Sequence, residues 1–528
     1  MKVKNDKFQV YLLIAILVIA GVGRFYLINQ PYIDATSWRQ SDTATIADNF
    51  YRGNWNIFYP EISWNGPGHN YVGYEFQTVT YIAALLYRIL GQHDWVGRLV
   101  SISFGLWGIF AFYHLVRCVW GVKHAIVAAA ILAILPREVY VDRSFLPDPV
   151  MLSLTMTSAW LLISYLQTER LHYLALASLT GMLGFLTKVS GAAVGIPMLY
   201  AVLTMLHQKH RLVPKQFALL GIAATVTLLP VVLYYRWAIH ISHAYPPYYI
   251  AAGGYWVWKF GLEHFLEQNY FLPKLLSQLN WFWTTPLILL FAIGLFLSPP
   301  RNDFNFASQQ QKATSKAPWF FHWWLAAFVA YYLVAAKGLV DNPTNLNLIN
   351  PAAAALAARA LIVITSWIQR LLKSPNSFAL IAVVLLMIAG FGHQKLKQSF
   401  LLPFSENSHN LGLALRQVSQ PDDLVVTVTI PLGDTVAIYY SQQRGWMFPP
   451  AYTWSTIGLN LKDELVSIRL LDELLLKGAN WFGIVDEQRN QLQKDNPKFI
   501  DYVERTFERY QEKPGFVIYR IPHASKNQ

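Results

Sequence analysis

Residues 31–75 read PYIDATSWRQSDTATIADNFYRGNWNIFYPEISWNGPGHNYVGYE and follow directly after the first hydrophobic segment of the chain. This stretch is polar and aromatic, whereas most of the chain from there to residue 400 is apolar. We expect chemistry where such a loop meets a membrane domain, and the remaining sequence must indicate which chemistry. The charged residues of the loop include Asp34, Arg39, Asp42, Asp48, Glu61 and Glu75.

The composition is that of a membrane protein. Of the 528 residues, 54% are hydrophobic and only 14% are charged, and the mean hydropathy is +0.29. Soluble domains carry about a quarter charged residues. The 19 Trp and 29 Tyr are typical of proteins whose rings lie at the level of the lipid headgroups. The single cysteine, Cys118, excludes an intrachain disulfide and a cysteine-based metal site.

The net charge of +12 is unevenly distributed. Residues 401–528 hold 13 Lys and Arg and 15 acids, whereas residues 1–400 hold 29 and 15. A basic excess confined to the membrane domain indicates membrane topology and contact with anionic lipids, and we expect no nucleic-acid partner.

Hydrophobic segments predict eleven membrane spans. The N-terminal segment resembles a signal peptide, but the polytopic pattern after it favours an uncleaved first span. Phe76–Leu90 is amphipathic and shorter than the roughly 20 residues that a span needs, so we expect it to lie flat on the membrane surface. The predicted spans are Val10–Val22, 96–117, 122–139, 149–167, 171–187, 190–206, 216–237, 277–298, 318–337, 345–367 and 377–393.

Basic residues collect at alternate ends of these spans. The proposed inner segments hold 14 Lys and Arg against three acids, which predicts that they lie in the cytoplasm of a plasma-membrane protein. An odd number of spans then places the C-terminal domain outside, together with the first outer loop at residues 30–95. The inner segments are Met1–Lys7, Arg117–Lys123, Thr168–Arg170, His207–Lys215, Pro299–Pro318 and Arg370–Lys373.

The character of the chain changes near residue 400. LVVTVTI (424–430), WFGIVD (481–486) and GFVIYRI (515–521) are typical of β-strands, and Lys462–Lys477 and Asp501–Tyr510 are typical of helices. The sequence therefore predicts a transmembrane domain at residues 1–400 and an extracytoplasmic α/β domain at residues 401–528. The α/β domain shows neither a Gly-rich phosphate loop nor the spacing of a zinc site.

The predicted topology collects a set of ionisable residues on the outer face. Such residues are costly at membrane depth and are usually functional. Carboxylates act as general bases, and Arg and Lys hold phosphate, so the set suits transfer from a phosphorylated lipid. Its members are Asp34, Arg39, Asp42 and Glu75 in the first loop, Asp142, Arg143 and Asp148 in VYVDRSFLPDP (139–149), Lys188 in FLTKVSG (185–191), and Arg236, His240 and His243 after the seventh span.

Structural roles remain open for most of these residues. Asp42 could cap a helix at Thr43–Tyr51, and Asp148 could cap the span that follows it. Arg143 and Lys188 could extend to the membrane interface without binding a substrate. The i,i+3 pair of His240 and His243 could bind a metal, but it lacks a convincing third ligand.

The order of motifs along the chain resembles that of GT-C type membrane glycosyltransferases. The likeness covers about residues 10–400 and is strongest to glycosyltransferase family 39, the branch with the protein O-mannosyltransferases and the bacterial aminoarabinose transferase of lipid A. It rests on an acid after the first span followed by WRQSDTA (38–44), on the pair Glu75–Phe76, and on RLVS (98–101), DRSFLPDP (142–149) and GFLTKVSG (184–191). IYYSQQRGW (438–446) resembles a motif of the soluble domain in bacterial members.

The resemblance implies a GT-C fold and specific roles. Asp34 would act as base or orient the acceptor, with Asp42 and Glu75 as further candidate acids. Arg39, Arg143, Lys188 and Arg236 would hold the donor phosphate. The sequence departs from the family in two places, at Asp34–Ala35, where many relatives have an acidic pair, and at DNPTNLNLINP (341–351), where many have a His/Tyr-Tyr segment.

We therefore expect an integral membrane glycosyltransferase. It would move a sugar from a polyprenyl-phosphate donor to a protein, lipid or glycan acceptor on the outer face, without a cofactor, although a divalent metal stays open. A transporter or flippase of lipid-linked sugars is the alternative, but the spans show no evident repeat and few charges at mid-membrane. An inactive scaffold is disfavoured by the acids and bases of the outer face.

Overall fold

The computed structural model describes residues 2–53, 55–208, 214–249, 271–300, 317–335, 343–372, 377–453 and 461–522. Most of the predicted inner segments at 207–215 and 299–318 lies outside the described residues. The chain divides into two compact units, each assembled from separated segments. Unit 1 contains Met1–Ile28, Arg98–Tyr235 and Gly254–Ser399, and unit 2 contains Asn29–Gly97, Arg236–Gly253 and Phe400–Gln528.

Helices dominate the first 400 residues. In chain order they are α1 (Lys2–Phe25), α2 (Ser37–Arg52), α3 (Thr78–Leu90), α4 (Asp94–Trp120), α5 (Val122–Ile134), α6 (Pro136–Arg143), α7 (Asp148–Thr168), α8 (Leu171–Thr187), α9 (Gly195–Gln208), α10 (Pro214–Ala244), α11 (Phe271–Phe282), α12 (Thr285–Leu295), α13 (Phe320–Val334), α14 (Asn350–Leu372) and α15 (Ser377–Lys395). Short 3-10 segments at Val189–Val194 and Pro343–Ile349 precede α9 and α14.

Seven helices of the described residues are long and apolar enough to cross a membrane, so the chain is a multi-pass membrane protein. The count rises to eight if α5 and α6, which meet at an angle of 64°, form one span. The predicted number of eleven is not reached by this criterion, because three predicted spans form shorter helices. These are α8 at 171–187, α12 within 277–298 and α13 within 318–337.

Prolines explain the breaks in two predicted spans. Pro136 cannot donate a backbone hydrogen bond into α5, so α5 ends and α6 begins with the proline at its first position. Pro286 lies in the first turn of α12, and the chain breaks between Phe282 and Thr285 rather than continuing from α11.

Small residues allow close packing of the helices in unit 1. Gly294 of α12 lies against α14, and a Cβ there would meet the carbonyl oxygen of Leu356 at 2.3 Å. The alanines at 352–355 in the first turns of α14 are fully buried. Such positions allow backbones to approach each other in membrane helices.

A five-stranded mixed sheet forms the centre of unit 2, with strand order β2-β1-β3-β5-β4. β1, β2 and β3 are parallel, and β5 and β4 are antiparallel to their neighbours. The elements are α16 (Glu406–Val418), β1 (Leu424–Val428), α17 (Val436–Ser441), β2 (Arg444–Met447), α18 (Glu464–Leu476), β3 (Ala479–Val485), α19 (Asp486–Asp495), α20 (Pro497–Thr506), β4 (Glu508–Lys513) and β5 (Phe516–Arg520).

The polar loop of residues 31–75 contributes to the core of unit 2. One face of the sheet packs on α18 and α20. The other face packs on α16 and α17 together with loop residues that include Phe50, Ile62, Trp64 and Tyr74. The aromatic side chains of Phe50, Trp64 and Tyr74 are therefore buried against the α/β sheet.

The predicted strands and the helix at 462–477 are confirmed in position, with three corrections. The helix predicted at Thr43–Tyr51 begins six residues earlier, at Ser37. The helix predicted at Asp501–Tyr510 ends at Thr506, and residues 508–513 form β4. The predicted elements also lacked β2, which lies inside the IYYSQQRGW motif.

Candidate active site

Backbone pairing fixes the start of the loop in unit 2. Residues 32–35 run beside residues 400–405, where Ala35 N donates to the carbonyl oxygen of Phe400 at 3.2 Å and Ser405 N donates to that of Ile33 at 3.0 Å. Ser405 continues the connection, because its hydroxyl contacts Ser37 Oγ at 2.8 Å and donates to Asp434 at 2.8 Å. The position of Asp34 is thus set by the C-terminal part of the chain.

Asp34 is fully buried at the entrance to α2. Gln40 Nε2 donates to Asp34 Oδ1 at 2.6 Å, and the backbone carbonyl of Asp34 accepts from Ser37 N at 2.8 Å. The Gln40 amide therefore helps to orient the Asp34 carboxyl group. The N-cap of α2 is Thr36, two residues after Asp34.

Asp42 lies inside α2, so the proposed capping role for it was wrong. Both of its carboxylate oxygens accept hydrogen bonds. Trp64 Nε1 donates to Oδ1 at 2.8 Å, and Tyr74 OH and Arg39 Nη1 donate to Oδ2, each at 2.8 Å. Arg39 also pairs with Glu75. The structure therefore brings three predicted site residues into one cluster, Arg39, Asp42 and Glu75.

Burial perturbs the ionisation of this cluster. Burial raises the pKa of Asp42 against the opposing effects of Arg39, Trp64 and Tyr74. Burial alone would lower the pKa of Arg39, but the charges of Glu75 and Asp42 raise it overall. Burial, followed by the charge of Asp42, raises the pKa of Tyr249 to about 12. Arg39 stays cationic, and its guanidinium lies 4.9 Å from the ring centre of Tyr74.

In unit 1, Asp142 forms a buried ion pair with Arg24. The Nε and Nη2 atoms of Arg24 lie 2.8 and 2.7 Å from Asp142 Oδ2. Gly105 of α4 leaves room for this carboxyl, because a Cβ there would lie 2.4 Å from Asp142 Cγ. Asp142 was predicted as a site residue, but its partner was not.

The other charges of α6 are also fully or almost fully buried. Arg143 Nη2 donates to the carbonyl oxygen of Leu27 at 2.9 Å. Glu138 accepts from Asn350 Nδ2 at 2.6 Å, and Asn350 in turn accepts from Trp283. Arg143 is therefore not an exposed residue of the membrane interface, because its side chain is enclosed by protein.

Lys188 lies in the break between α8 and the 3-10 segment that follows. Its Nζ donates to Asp148 Oδ1 at 2.8 Å, and 20% of the Lys188 side chain is exposed. Asp148 is the first residue of α7, after the N-cap Pro147, so it pairs with Lys188 rather than capping the helix. The sequence predicted both residues without predicting that they form a pair.

Arg236, His240 and His243 do not join these clusters. They lie in the last turns of α10, where their side chains are at least partly exposed. The described part of the chain shows no ion pair from Arg236 to a carboxylate and no group of three ligands that could hold a metal. The histidine pair therefore lacks a third metal ligand among the residues described.

Several ionisable residues near these clusters escaped sequence reasoning. Arg24 lies in the last turn of the first apolar helix, a position typical of residues at the membrane interface. Glu138 lies within the apolar stretch that was predicted as a span. Asp48, three turns into α2, was named among the charged residues of the loop but was assigned no role. A charge inside a predicted span was the available signal for Glu138, since such charges are usually functional.

Comparisons with known proteins show which fold the chain shares. Residues 78–235 match the family model of dolichyl-phosphate-mannose-protein mannosyltransferases. This segment contains α6, Arg143, Asp148 and Lys188 but not the acidic loop. No curated protein sequence shows significant similarity to the chain.

Solved structures of two proteins share the architecture. ArnT from Cupriavidus metallidurans bound to undecaprenyl phosphate aligns over 98% of both chains, with a TM-score of 0.62 and 12% identity. The same protein in the apo state aligns with a TM-score of 0.63 at 12% identity and the same coverage. The oligosaccharyltransferase AglB from Archaeoglobus fulgidus, in complex with an inhibitory peptide and a dolichol-phosphate, aligns over 98% of this chain and 75% of its own, with a TM-score of 0.52 and 12% identity.

The resemblance to GT-C type enzymes is therefore confirmed. The chain has the GT-C fold, with a helical membrane part and a small C-terminal sheet domain. At 12% identity the solved structures establish the fold alone.

Proposed function

We propose that the protein is a membrane glycosyltransferase that takes a sugar from a polyprenyl-phosphate donor. It transfers the sugar to an acceptor on the outer face of the membrane. One observation carries the proposal: cations and carboxylates are buried on α6 and at Lys188, inside the segment that matches the mannosyltransferase family model. Buried ionisable groups are energetically costly in a membrane domain, so those that are present usually serve a function.

The chemistry of the leaving group indicates which residues bind the donor. A polyprenyl phosphate leaves as an anion, so the reaction needs stabilisation of phosphate charge more than protonation. We assign Arg143 and Lys188 of unit 1 to this role. Guanidinium and ammonium groups bind phosphate strongly when water is excluded, and most of both side chains is buried. The ArnT structure with undecaprenyl phosphate supports this class of donor.

We assign Asp34 as the residue that accepts the proton of the acceptor. Asp42 suits this role less, because three donors occupy its two oxygens and Arg39 holds it in an ion pair. Asp34 is the acid that follows the first span in the motif order, and the Gln40 amide orients its carboxyl group by donating to Oδ1 at 2.6 Å. The cluster of Arg39, Asp42 and Glu75 then acts as the support that holds α2 and the loop.

The experiment is transfer by the full-length protein in lipid nanodiscs. Undecaprenyl-phosphate-linked pentoses and hexoses carrying a radiolabelled sugar are supplied, and the release of undecaprenyl phosphate is measured beside labelling of cell-envelope extracts. Sugar-dependent release with labelled product is the expected result. Transbilayer movement of intact donor without release, measured after reconstitution into vesicles, would identify a transporter and overturn the proposal. Mass spectrometry of envelope glycans and lipids from a deletion strain then identifies the sugar and the acceptor.

A further inference from the structure

Unit 2 contains a cavity of about 540 Å³ that no step above uses. Its volume is in the range of about 300–1,000 Å³ that small-molecule sites occupy. The cavity is lined by the middle of α2, by residues 63–68 of the loop, and by the segments that precede β1 and β2. The lining residues on which the argument depends are Asp48, Arg52, Asp422, Asp423, Gln442 and Arg444.

Asp48 is the buried group of this cavity. Only 7% of the residue is exposed, and Gln92 Nε2 donates to one of its oxygens. The other oxygen, Oδ1, is buried without a hydrogen-bond partner among the residues that the structure describes. An unpaired buried polar atom is costly, so the carboxyl group of Asp48, a residue that lines the cavity, keeps hydrogen-bonding capacity that the described residues leave unused.

When it is protonated, the carboxyl group of Asp48 can also donate a hydrogen bond. Burial raises the pKa of Asp48 to about 8, against the lowering effects of Arg52 and the Gln92 amide. A neutral carboxyl group both donates and accepts a hydrogen bond, as a ligand hydroxyl does.

The charges of the lining disfavour an anionic ligand. Asp422 and Asp423 both belong to the lining. Both cations are already engaged, because Arg444 pairs with Glu61 and Arg52 Nη2 donates to Gln92 at 2.8 Å. Amides, carboxyls and a tyrosine make up most of the remaining polar lining. These groups match alternating donors and acceptors on a neutral ligand rather than a phosphate.

A peptide strand is disfavoured at the nearby edge of the sheet. β2 is the edge strand there, but the loop already pairs with it, since Gly66 N donates to the Gly445 carbonyl at 2.7 Å and Gly445 N donates to the Ser63 carbonyl at 3.1 Å. A peptide that adds a strand to a sheet needs a free edge.

We propose that this cavity binds a neutral saccharide, with the carboxyl group of Asp48 hydrogen-bonded to sugar hydroxyl groups. Under the proposed function, on which this identification rests, the saccharide is part of a glycan acceptor. The site selects acceptors by their hydroxyl pattern and lies apart from the acid assigned to proton transfer within unit 2, since Asp34 is not among its lining residues.

The test measures saccharide binding directly. Full-length protein in nanodiscs is titrated with maltotriose, mannotriose and triacetylchitotriose in saturation-transfer NMR, with a Ser/Thr-containing octapeptide as competitor. The variants are Asp48→Asn, Asp48→Leu and Gln442→Ala, and the matched control is Asp495→Leu, which replaces an exposed acid outside the cavity.

At least one trisaccharide is expected to bind the parent protein. Asp48→Asn, which keeps an acceptor and a donor, retains affinity within about threefold, and Asp48→Leu loses about tenfold or more, as expected for a buried hydrogen bond. Gln442→Ala, which shortens an exposed lining residue, weakens binding severalfold in a protein whose core is unchanged, and Asp495→Leu binds as the parent does. Equal binding by all variants, no binding of any trisaccharide, or Asp48-dependent binding of the peptide instead would overturn the proposal.

Measuring both saccharide binding and sugar transfer tests the saccharide site and the proposed function separately. Asp48-dependent saccharide binding without any sugar transfer retains the saccharide site and rejects the glycosyltransferase. Sugar transfer to a saccharide-free acceptor at a rate unaffected by Asp48→Leu retains the glycosyltransferase and rejects the saccharide site.

Discussion

Asp34 and Asp42 belong to the same polar loop, but their surroundings in unit 2 differ. Asp42 accepts hydrogen bonds from Arg39, Trp64 and Tyr74, whereas Asp34 Oδ1 accepts from the amide of Gln40. Burial raises the pKa of Asp42 despite these donors, but both of its oxygens are occupied, so an acceptor hydroxyl that approaches Asp42 must displace one of them. We therefore keep Asp34, the acid that the motif order indicates, as the proposed base and Asp42 as a supporting residue.

Asp34→Asn is expected to abolish transfer while donor binding persists. An amide cannot take up the acceptor's proton, and loss of a general base typically lowers the rate about a hundredfold or more. Transfer from labelled undecaprenyl-phosphate sugar is measured beside Glu75→Gln and Asp42→Asn. Asp42→Asn should instead lower thermal stability, because it removes the ion pair with Arg39. Full activity of Asp34→Asn with loss in Asp42→Asn would assign the base to Asp42.

Lys188→Ala is expected to weaken donor use by roughly tenfold to a thousandfold, as for a shielded charge on phosphate. Its pairing with Asp148 offers a second explanation, which a double variant tests. If Lys188 only neutralises Asp148, Lys188→Ala with Asp148→Asn regains activity. If Lys188 binds the donor, the double variant stays impaired. Arg143→Ala should show a comparable loss, and Lys188→Arg should rescue only in part.

Asp48→Asn is expected to stabilise the protein increasingly as pH rises. The folded pKa of about 8 lies above the ordinary value of 3.8, so the folded state holds the proton more tightly. Stability contributed by this group falls by about 1.4 kcal/mol per pH unit between those two values, and asparagine removes that loss. The difference in melting temperature between variant and parent should grow from pH 5 to pH 8 and then level off. A difference that stays constant over this range would contradict the raised pKa, with Asp495→Asn as the exposed control.

Sequence reasoning proposed individual site residues but not their partners. The order of motifs indicated Asp34, Arg143 and Lys188, because each lies in a short polar segment between apolar runs. The Arg24–Asp142 pair joins residues 118 positions apart, and no local pattern in the sequence connects them. Long-range pairs depend on how helices pack, which periodicity does not encode.

At the level of elements, α6 depends on the space that α4 leaves for it. Gly105→Ala is expected to destabilise the protein, because its Cβ would meet the Asp142 carboxyl at 2.4 Å and displace it from Arg24. Overpacking costs about 1–3 kcal/mol, more than the roughly 1 kcal/mol that alanine adds to helix stability. The measurement is the melting temperature in detergent.

Gly108→Ala is the matched control on the same helix. A Cβ there would approach Cε of Met156 at 3.2 Å, and the end of a methionine side chain can move. We expect its melting temperature to equal or exceed that of the parent. A loss as large as that of Gly105→Ala would show that α4 tolerates no side chain at either position, irrespective of Asp142.

The periodicity of apolar residues predicted a helix or strand correctly where one pattern ran through the whole element. α18 was predicted at its observed place because its apolar residues recur at helical spacing, and its N-cap Asp463 accepts from Val466 N. β2 was missed because its four residues, RGWM, are too few to show alternation. The first three residues of β4 were assigned to the preceding helix, because ERYQEK is charged and exposed at a sheet edge, where strands carry polar residues on both faces.

At the level of the whole molecule, one division between the two compact units falls between Ser399 and Phe400. The sequence did not indicate that residues 29–97 and 236–253 belong to the same unit as the C-terminal domain. Trp64, Tyr74 and Phe50 read as interface aromatics, yet they are core residues of the sheet's second face. Composition alone does not distinguish a ring buried in protein from one at the headgroups.

The number of crossings after residue 310 decides on which side of the membrane the C-terminal domain lies. Beyond that residue the structure has two long apolar helices, at Thr344–Leu372 and Phe378–Phe400, and the shorter α13. Two crossings would return the chain to the same side, so opposite sides require that α13 also crosses. A helix of 15 residues spans about 22 Å, less than the roughly 30 Å hydrocarbon core.

Tags at residues 310 and 528 are nevertheless expected to lie on opposite sides, with residue 310 in the cytoplasm, because the segment Pro299–Pro318 carries basic residues. Replacing Cys118 with serine permits single cysteines at Gln310 and Gln528 to be labelled with a membrane-impermeant maleimide in intact cells. We expect labelling at position 528 alone. Labelling of both positions, or of neither, would mean that α13 does not cross and that the predicted sides of the site residues must be revised.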